Sequence, residues 1–405
     1  MARSQIMAGF GAFAMALAFA EPMYVHDQMP LLDLLFKTLR IGCFLLVAWN
    51  VVRTPGVLSD PLLVLSMALG LWVAMDGFLF HDGGDVTAQV FAPIYVITIV
   101  AYFCFVARDP CRRDLVIRGY WLPYALLVVA NLTSIVLFPD GLYSRESVSG
   151  GLVEAYWLLG HKNRIYGYYL CFLFLTWVLP VEKRFAKPLR AVSIGIVGLS
   201  LALAPSGTGV ICYGVFCVIY FTRLYKSRLF NWKTIVLTYI GLFCFLMFAR
   251  DSEMIAAWTD SMGKDITFTG RTFIWDVHMD MIPDHWWLGH GWLPGETRAD
   301  LVPEAFGAVE AHNTILELLF DYGMPGLLLW GLIIVTAFCE ENRSCAHNDP
   351  RRMAMLSAAC YLVSTLVESR IFDCSMFVIL ALGYYCRTSK EGKYSEDFLD
   401  NCDNG

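Results

Sequence analysis

Twelve stretches of this chain are apolar for long enough, or nearly so, to form helices across a bilayer. They run over 5–20, 34–52, 61–80, 86–107, 115–138, 165–181, 189–204, 208–223, 232–250, 325–339, 351–368 and 373–386. A crossing helix needs about 20 such residues, and in lipid only helices or closed barrels satisfy their own backbone. The run 189–223 is too long for one span, and Pro205-Ser206-Gly207 offers the break that divides it. Counts of eleven or thirteen spans fit almost as well. Composition agrees: 57% of the 405 residues are hydrophobic and 16% are charged, against roughly 25% charged in soluble domains. A soluble domain of this size could not hide that much apolar surface, and disordered chains are polar and poor in aromatics. A net charge of −6 over this length gives no reason to expect nucleic acid as a partner. The expected fold is therefore an all-α polytopic membrane protein. It has about 12 transmembrane helices and a large extracytoplasmic loop containing amphipathic helices.

The N-terminus imitates a signal peptide, with Arg3, an apolar run to Phe19 and Ala18-Phe19-Ala20. With so many apolar segments following, an uncleaved first span is the preferred reading. Cysteine points to neither disulfides nor thiolate zinc. Cys43, Cys104, Cys171, Cys212, Cys217, Cys244 and Cys360 lie inside apolar runs, and no CxxC pair occurs.

Basic residues orient the spans. A cytoplasmic N-terminus places 20 of the 30 lysines and arginines on inner connections, among them Arg108, Arg112, Arg113 and Arg118, and leaves the outer loop 81–85 without a cation. Both termini are then cytoplasmic. The chain divides into residues 1–250 (spans 1–9), an extracytoplasmic loop 251–311, the last three spans within 312–390, and a cytoplasmic tail 391–405. The outer segments 139–164 and 251–311 are long, which is uncommon unless they carry function. The second holds Trp258, Trp275, Trp286, Trp287 and Trp292, as an interfacial belt or as platforms for sugar stacking. Within it, Ile274, Trp275, His278, Met281 and Ile282 recur at helical spacing, predicting an amphipathic helix over 271–282 on or above the membrane surface.

Three segments carry candidate chemistry. In Ala311-His312-Asn313-Thr314…Glu317, a polar loop turns into a helix with His312 near its first turn. An imidazole there is suited to accept a proton from a hydroxyl. Asn313 can cap the helix. Glu317 is offset from His312 by about 140° on a regular helix, so it is placed to orient a neighbour from elsewhere. Gly323 and Pro325-Gly326 end this short helix before the next span. In Gly270-Arg271-Thr272, an arginine at a helix start can present a fork to phosphate, or simply hold lipid headgroups. In His161-Lys162-Asn163-Arg164, cations at the outer face suit an anionic substrate or serve as ordinary anchors. Arg370, between two spans, can complete a pyrophosphate site or pair with Glu368 or Asp373. His278, His285 and His290 match no metal-ligand spacing and read as surface residues, so no metal or other cofactor is expected. P-loop, dinucleotide-fingerprint, HExxH and GxSxG patterns are all missing.

Gly270-Arg271-Thr272…Trp275, Pro283…Gly289-His290-Gly291 and Ala311-His312-Asn313…Glu317…Tyr322-Gly323…Gly326 together resemble the C-terminal signature of the O-antigen ligase and polymerase superfamily. The resemblance implies a bacterial inner-membrane enzyme working at the extracytoplasmic face. It would transfer an undecaprenyl-pyrophosphate-linked oligosaccharide to a glycan or lipid-glycan acceptor without a metal. His312 and Arg271 would be its catalytic residues, with Arg164, Arg370, Asn313, Glu317 and His161 around the substrates. One departure stands out: where the family often has Ser-Arg-Thr, this chain has Ser206-Gly207-Thr208, so Arg164 or Arg370 would have to supply the missing charge. The competing readings are a transporter or flippase of a lipid-linked or anionic solute, which would release no chemical product, and a glycan-binding scaffold indifferent to His312.

Overall fold

A computed structural model describes residues 2–79, 86–107, 110–146, 153–248, 271–293, 298, 310–339 and 350–385. The loop 81–85, Trp258 and the tail from 386 lie outside these. Helices α1 (Ala2–Phe19), α2 (Met23–Gln28), α3 (Pro30–Arg53), α4 (Pro61–Leu79), α5 (Val86–Val106) and α6 (Pro110–Leu137) form the first half. After a small sheet come α7 (Tyr166–Val178), α8 (Lys183–Leu203), α9 (Gly207–Phe221) and α10 (Trp232–Phe248). The remainder comprises α11 (Arg271–Met281), α12 (Thr314–Cys339), α13 (Pro350–Thr365) and α14 (Cys374–Tyr385). Each apolar segment read from the sequence coincides with one of these helices. Among the described residues, four stretches, Gln89–Val106, Arg112–Leu137, Lys183–Leu203 and Thr314–Cys339, are long and apolar enough to cross a membrane, and several shorter apolar helices accompany them. The protein is a multi-pass, helical membrane protein.

Burial explains the arrangement. Helices α7 and α14 are apolar on all sides and buried along nearly their whole length, so they form the centre. By contrast α3, α8, α9 and α10 present large apolar side chains outward, among them Leu35, Val52, Leu199, Val210 and Phe248. Such surfaces suit lipid rather than water. Small residues let helices approach closely. At Gly119 of α6, an added Cβ would stand 2.6 Å from both the Ala12 Cβ and the Gly9 carbonyl of α1.

The connection between α6 and α7 adds a feature the periodicity did not reveal, a three-stranded antiparallel sheet ordered β1 (Tyr143–Glu146), β2 (Val153–Trp157), β3 (Gly160–His161). Tyr156 pairs with Tyr143 on one side and His161 on the other. Polar groups at the end of α6 anchor it: Trp157 Nε1 donates to the Phe138 carbonyl at 2.8 Å, and Leu159 N to Asn131 Oδ1 at 2.9 Å. This fixes the chain that runs on to Asn163 and Arg164.

The break expected at Gly323 is present, within a helix that continues to Cys339. Gly323 has φ 63° and ψ −167°, outside the helical region. The kink frees backbone groups that must find partners elsewhere. His290 N donates to the Phe320 carbonyl at 2.6 Å, Gly291 N to Asp321 O at 3.0 Å, and Met324 N to Trp286 O at 2.9 Å. The Trp72 indole of α4 donates to Tyr322 O at 2.9 Å. The Gly289-His290-Gly291 turn is therefore the part that docks onto the kink. No side chain fits between them: a Cβ on Gly289 would lie 2.6 Å from the Asp321 carbonyl, and one on Gly323 2.2 Å from that of Trp287.

Candidate active site

Helix α11 begins at Arg271, as the spacing predicts, but its apolar face is covered by protein rather than left for the membrane surface. Trp275 is fully buried with Met247, Ala311 and Leu316, and Ile274 packs on Phe320. The Trp275 indole donates to the Ala311 carbonyl at 3.0 Å, which ties α11 to the chain just before His312.

His312 lies near the first turn of α12, as expected, just ahead of the Asn313 cap. It precedes the helix with φ 49°, a left-handed conformation rare outside glycine and asparagine. Such a residue costs on the order of 1–3 kcal/mol and persists only where its surroundings determine it. Both flanks are held. Ala311 N donates to Glu317 Oε2 at 2.5 Å. The Asn313 side chain caps the helix, accepting from Ile315 N at 2.9 Å and Leu316 N at 3.1 Å while donating to the Leu366 carbonyl at 2.9 Å. Next to it, the Thr314 hydroxyl donates to Glu368 O at 3.0 Å and accepts from Arg370 N at 2.9 Å. The start of α12 is thus stitched to the connection between α13 and α14.

That connection supplies the meeting point. Arg271 Nη2 donates to Glu368 Oε1 at 2.8 Å, and His312 Nδ1 stands 3.8 Å from Glu368 Oε2. The second distance is too long for a hydrogen bond. Burial pushes the Glu368 pKa up, but the neighbouring imidazole and the guanidinium groups of Arg271 and Arg370 outweigh it. The group titrates at about 2 and is ionised at neutral pH. The His312 side chain is 35% exposed, open to a substrate on one side and to a carboxylate on the other.

Arg370 adjoins this cluster. It does not pair with Glu368; its Nη2 donates to the Asn163 carbonyl at 3.1 Å, and Nη1 lies 4.0 Å from Asp373. Its Nε is buried without a hydrogen-bond partner, and its guanidinium lies over the Tyr166 ring at 5.5 Å. The Asn163 side chain in turn accepts from the Ser206 hydroxyl at 2.8 Å. Arg370 therefore stands one residue away from the Ser206-Gly207-Thr208 turn that lacks an arginine. Arg164 is farther out, paired with Glu310 at 2.8 Å and half exposed. His161 lies 3.8 Å from Glu154, and burial lowers its pKa despite that carboxylate.

Glu317 has both oxygens engaged. Besides Ala311 N and the Ser369 hydroxyl at 3.1 Å, it accepts from Arg298 Nη1 at 2.7 Å. Arg298 is 1% exposed and also donates to Asp321 Oδ1 at 3.0 Å. Its Nη2 reaches His278 Nε2 at 3.1 Å, while His278 Nδ1 meets the Ile274 carbonyl at 2.7 Å. That pattern fits a neutral imidazole donating from Nδ1 and accepting at Nε2. Burial first, and then the Arg298 charge, lower the His278 pKa to about 4. His278 is thus not the surface residue expected from its loop position. His290 stacks on Phe320 at 4.5 Å. Arg298 and Glu368 escaped the sequence reading as site residues. The first stands in a stretch of sequence with no motif around it, and the second surfaced only as a partner for Arg370. Among the described residues, one group with metal-ligand spacing occurs, Glu21, His26 and Asp33. Arg40 already pairs with Glu21, and Lys37 with Asp33.

Helices too apolar for water, packed around a cluster of polar and charged side chains, define a membrane protein with a candidate site among its helix connections. A family model described as O-antigen ligase matches residues 190–331, the stretch that contains Arg271, Arg298 and His312. The exopolysaccharide production protein ExoQ of Rhizobium meliloti (strain 1021) is 29% identical over 120 residues, 27% of this chain and 28% of that protein. The match thus spans little more than a quarter of the relative's length. Together with the residue blocks, the two matches make the chain similar, over this stretch, to the O-antigen ligase and polymerase superfamily.

Proposed function

We propose that this protein is a membrane enzyme of surface-polysaccharide assembly, a polymerase or ligase, that transfers a glycan from undecaprenyl pyrophosphate to a sugar hydroxyl. The observation that carries the reading is the convergence of Arg271 and His312 on the two oxygens of Glu368. The acceptor hydroxyl attacks the anomeric carbon, a carbon–oxygen bond forms, and the bond to pyrophosphate breaks. The hydroxyl proton passes to His312, where the Glu368 carboxylate stabilises the imidazolium that results. Negative charge builds on the departing lipid pyrophosphate. Arg271 and Arg370 take that charge, acting as fixed guanidinium donors in place of a divalent ion. The buried, unpartnered Nε of Arg370 gives this role a free donor. Arg164 and His161 guard the approach. Asn313 and Glu317 act through His312 by holding its backbone.

In this reading the site faces the extracytoplasmic side of the bacterial inner membrane, with both termini in the cytoplasm. The polyprenyl tail stays in lipid. The relative's role in exopolysaccharide production and the O-antigen ligase match support transfer of a glycan. The test is purified protein mixed with lipid-linked oligosaccharide and an acceptor. Release of free lipid pyrophosphate together with an elongated glycan is expected. Passage of donor across proteoliposomes with no product would overturn the reading in favour of transport.

A further inference from the structure

A cavity of about 290 Å³ opens beside this cluster, near the lower edge of the roughly 300–1,000 Å³ typical of small-molecule sites. Ser369, in its wall, stands between Glu368 and Arg370, and Glu310, also in its wall, lies two residues before His312. We propose that this cavity binds the acceptor as a neutral saccharide, with Trp292 and Phe372 on its apolar faces and Asp321 on its hydroxyls. The inference rests on the transfer reading above and assigns its second substrate a place.

The lining selects for that chemistry. Trp292, Phe372 and Tyr322 supply aromatic surface, while Glu310, Glu317 and Asp321 supply carboxylates. Among the described residues no lysine or arginine lines the cavity, and the cations nearest its wall, Arg164 and Arg298, are already paired with Glu310, Glu317 and Asp321, so a pyrophosphate there would find no free cation in the wall. The anion belongs to the Arg271 and Arg370 side and the uncharged polyol to this one. Two of the carboxylates are already engaged: Glu310 by Arg164, and Glu317 on both oxygens. Asp321 is not. Its Oδ1 accepts from Arg298, but Oδ2 is buried without a hydrogen-bond partner, in a residue 1% exposed. An orphaned buried oxygen is costly unless a ligand or water completes it, and a sugar hydroxyl is a suitable donor. Trp292 is held for the purpose, since Gln89 Nε2 of α5 donates to its carbonyl at 2.9 Å.

The test is equilibrium binding of a neutral oligosaccharide, prepared by partial hydrolysis of the producing cell's own surface polysaccharide, to the full-length protein in detergent. Trp292→Ala and Asp321→Asn are each expected to weaken binding about ten-fold, or roughly 1.4 kcal/mol. Inorganic pyrophosphate should not compete. Asparagine retains the oxygen that accepts from Arg298, and Trp292→Ala leaves that ion cluster untouched, so loss of binding in both is not a folding effect. Unchanged affinity in both variants, or displacement of the saccharide by pyrophosphate, would overturn the proposal. No donor is present, so the result stands apart from whether the protein transfers glycan, which the product assay decides separately.

Discussion

Arg271, at the start of α11, and His312, just ahead of α12, are held on the two oxygens of a single carboxylate, at 2.8 and 3.8 Å from Glu368. Neither residue touches the other. The carboxylate lies between them and balances the Arg271 charge, and in the proposed reaction it would stabilise the imidazolium. An incoming pyrophosphate would compete with Glu368 for Arg271, which couples donor binding to release of the carboxylate toward His312.

Removing either side chain should abolish the activity without unfolding the protein. His312→Asn is the better probe than alanine, because asparagine tolerates the left-handed backbone that position 312 adopts. We expect His312→Asn and Arg271→Ala each to lower the transfer rate by about 10²–10³, the usual cost of losing one charge-stabilising group. Surface polymer on a gel, with membrane insertion checked by blotting, reads the outcome. Normal polymer in either variant contradicts the assignment.

The Arg298 cluster should matter for stability before catalysis. Arg298→Met leaves Glu317 and Asp321 buried without their cation, which typically costs about 3–5 kcal/mol. A large drop in the thermal unfolding midpoint in detergent is expected. Arg298→Lys should recover little of it, because one ammonium cannot reach Glu317, Asp321 and His278 together.

Acid should weaken the fold in two windows. The buried His278 has its pKa lowered to about 4 from an unfolded value of 6.5, so the unfolded state binds more protons between those values. Stability contributed by the neutral imidazole is complete above about pH 6.5 and is lost as pH falls toward 4. Glu368, lowered to about 2 from 4.5, contributes stability above about pH 4.5 that fades as pH falls through 2. Unfolding midpoints across pH should flatten in the upper window for His278→Gln and in the lower window for Glu368→Gln. Identical profiles for wild type and both variants would refute the assignment.

Two glycines on the same helix should respond oppositely to alanine. Gly323 has φ 63° and no room for a Cβ against the Trp287 carbonyl, whereas nothing lies within 4 Å of a Cβ at Gly331. Gly323→Ala is expected to cost about 2 kcal/mol or more. Gly331→Ala should be neutral or stabilise by up to about 1 kcal/mol. Thermal unfolding of the two variants side by side is the check.

Much of this was legible in the chain. Apolar length located the helices because hydropathy and helical hydrogen bonding are properties of one segment at a time. The helix start at Arg271, the Asn313 cap and the break at Gly323 were readable for the same reason. The small sheet over 143–161 was not, since its strands are short and alternate weakly. Nor was the burial of His278, because the spacing that predicts its helix does not say what packs against that helix.

The sequence alone determined that the protein is helical and membrane-embedded, which segments are apolar, and which residues carry a charge or a titratable proton. The tertiary structure decided which of these meet. It set Glu368 between Arg271 and His312, sent Arg298 into the interior to hold Glu317, Asp321 and His278, and turned Arg370 toward Asn163. The reason is physical: periodicity records which face of a helix is apolar, but charges on separate connections are paired only when packing brings those connections together.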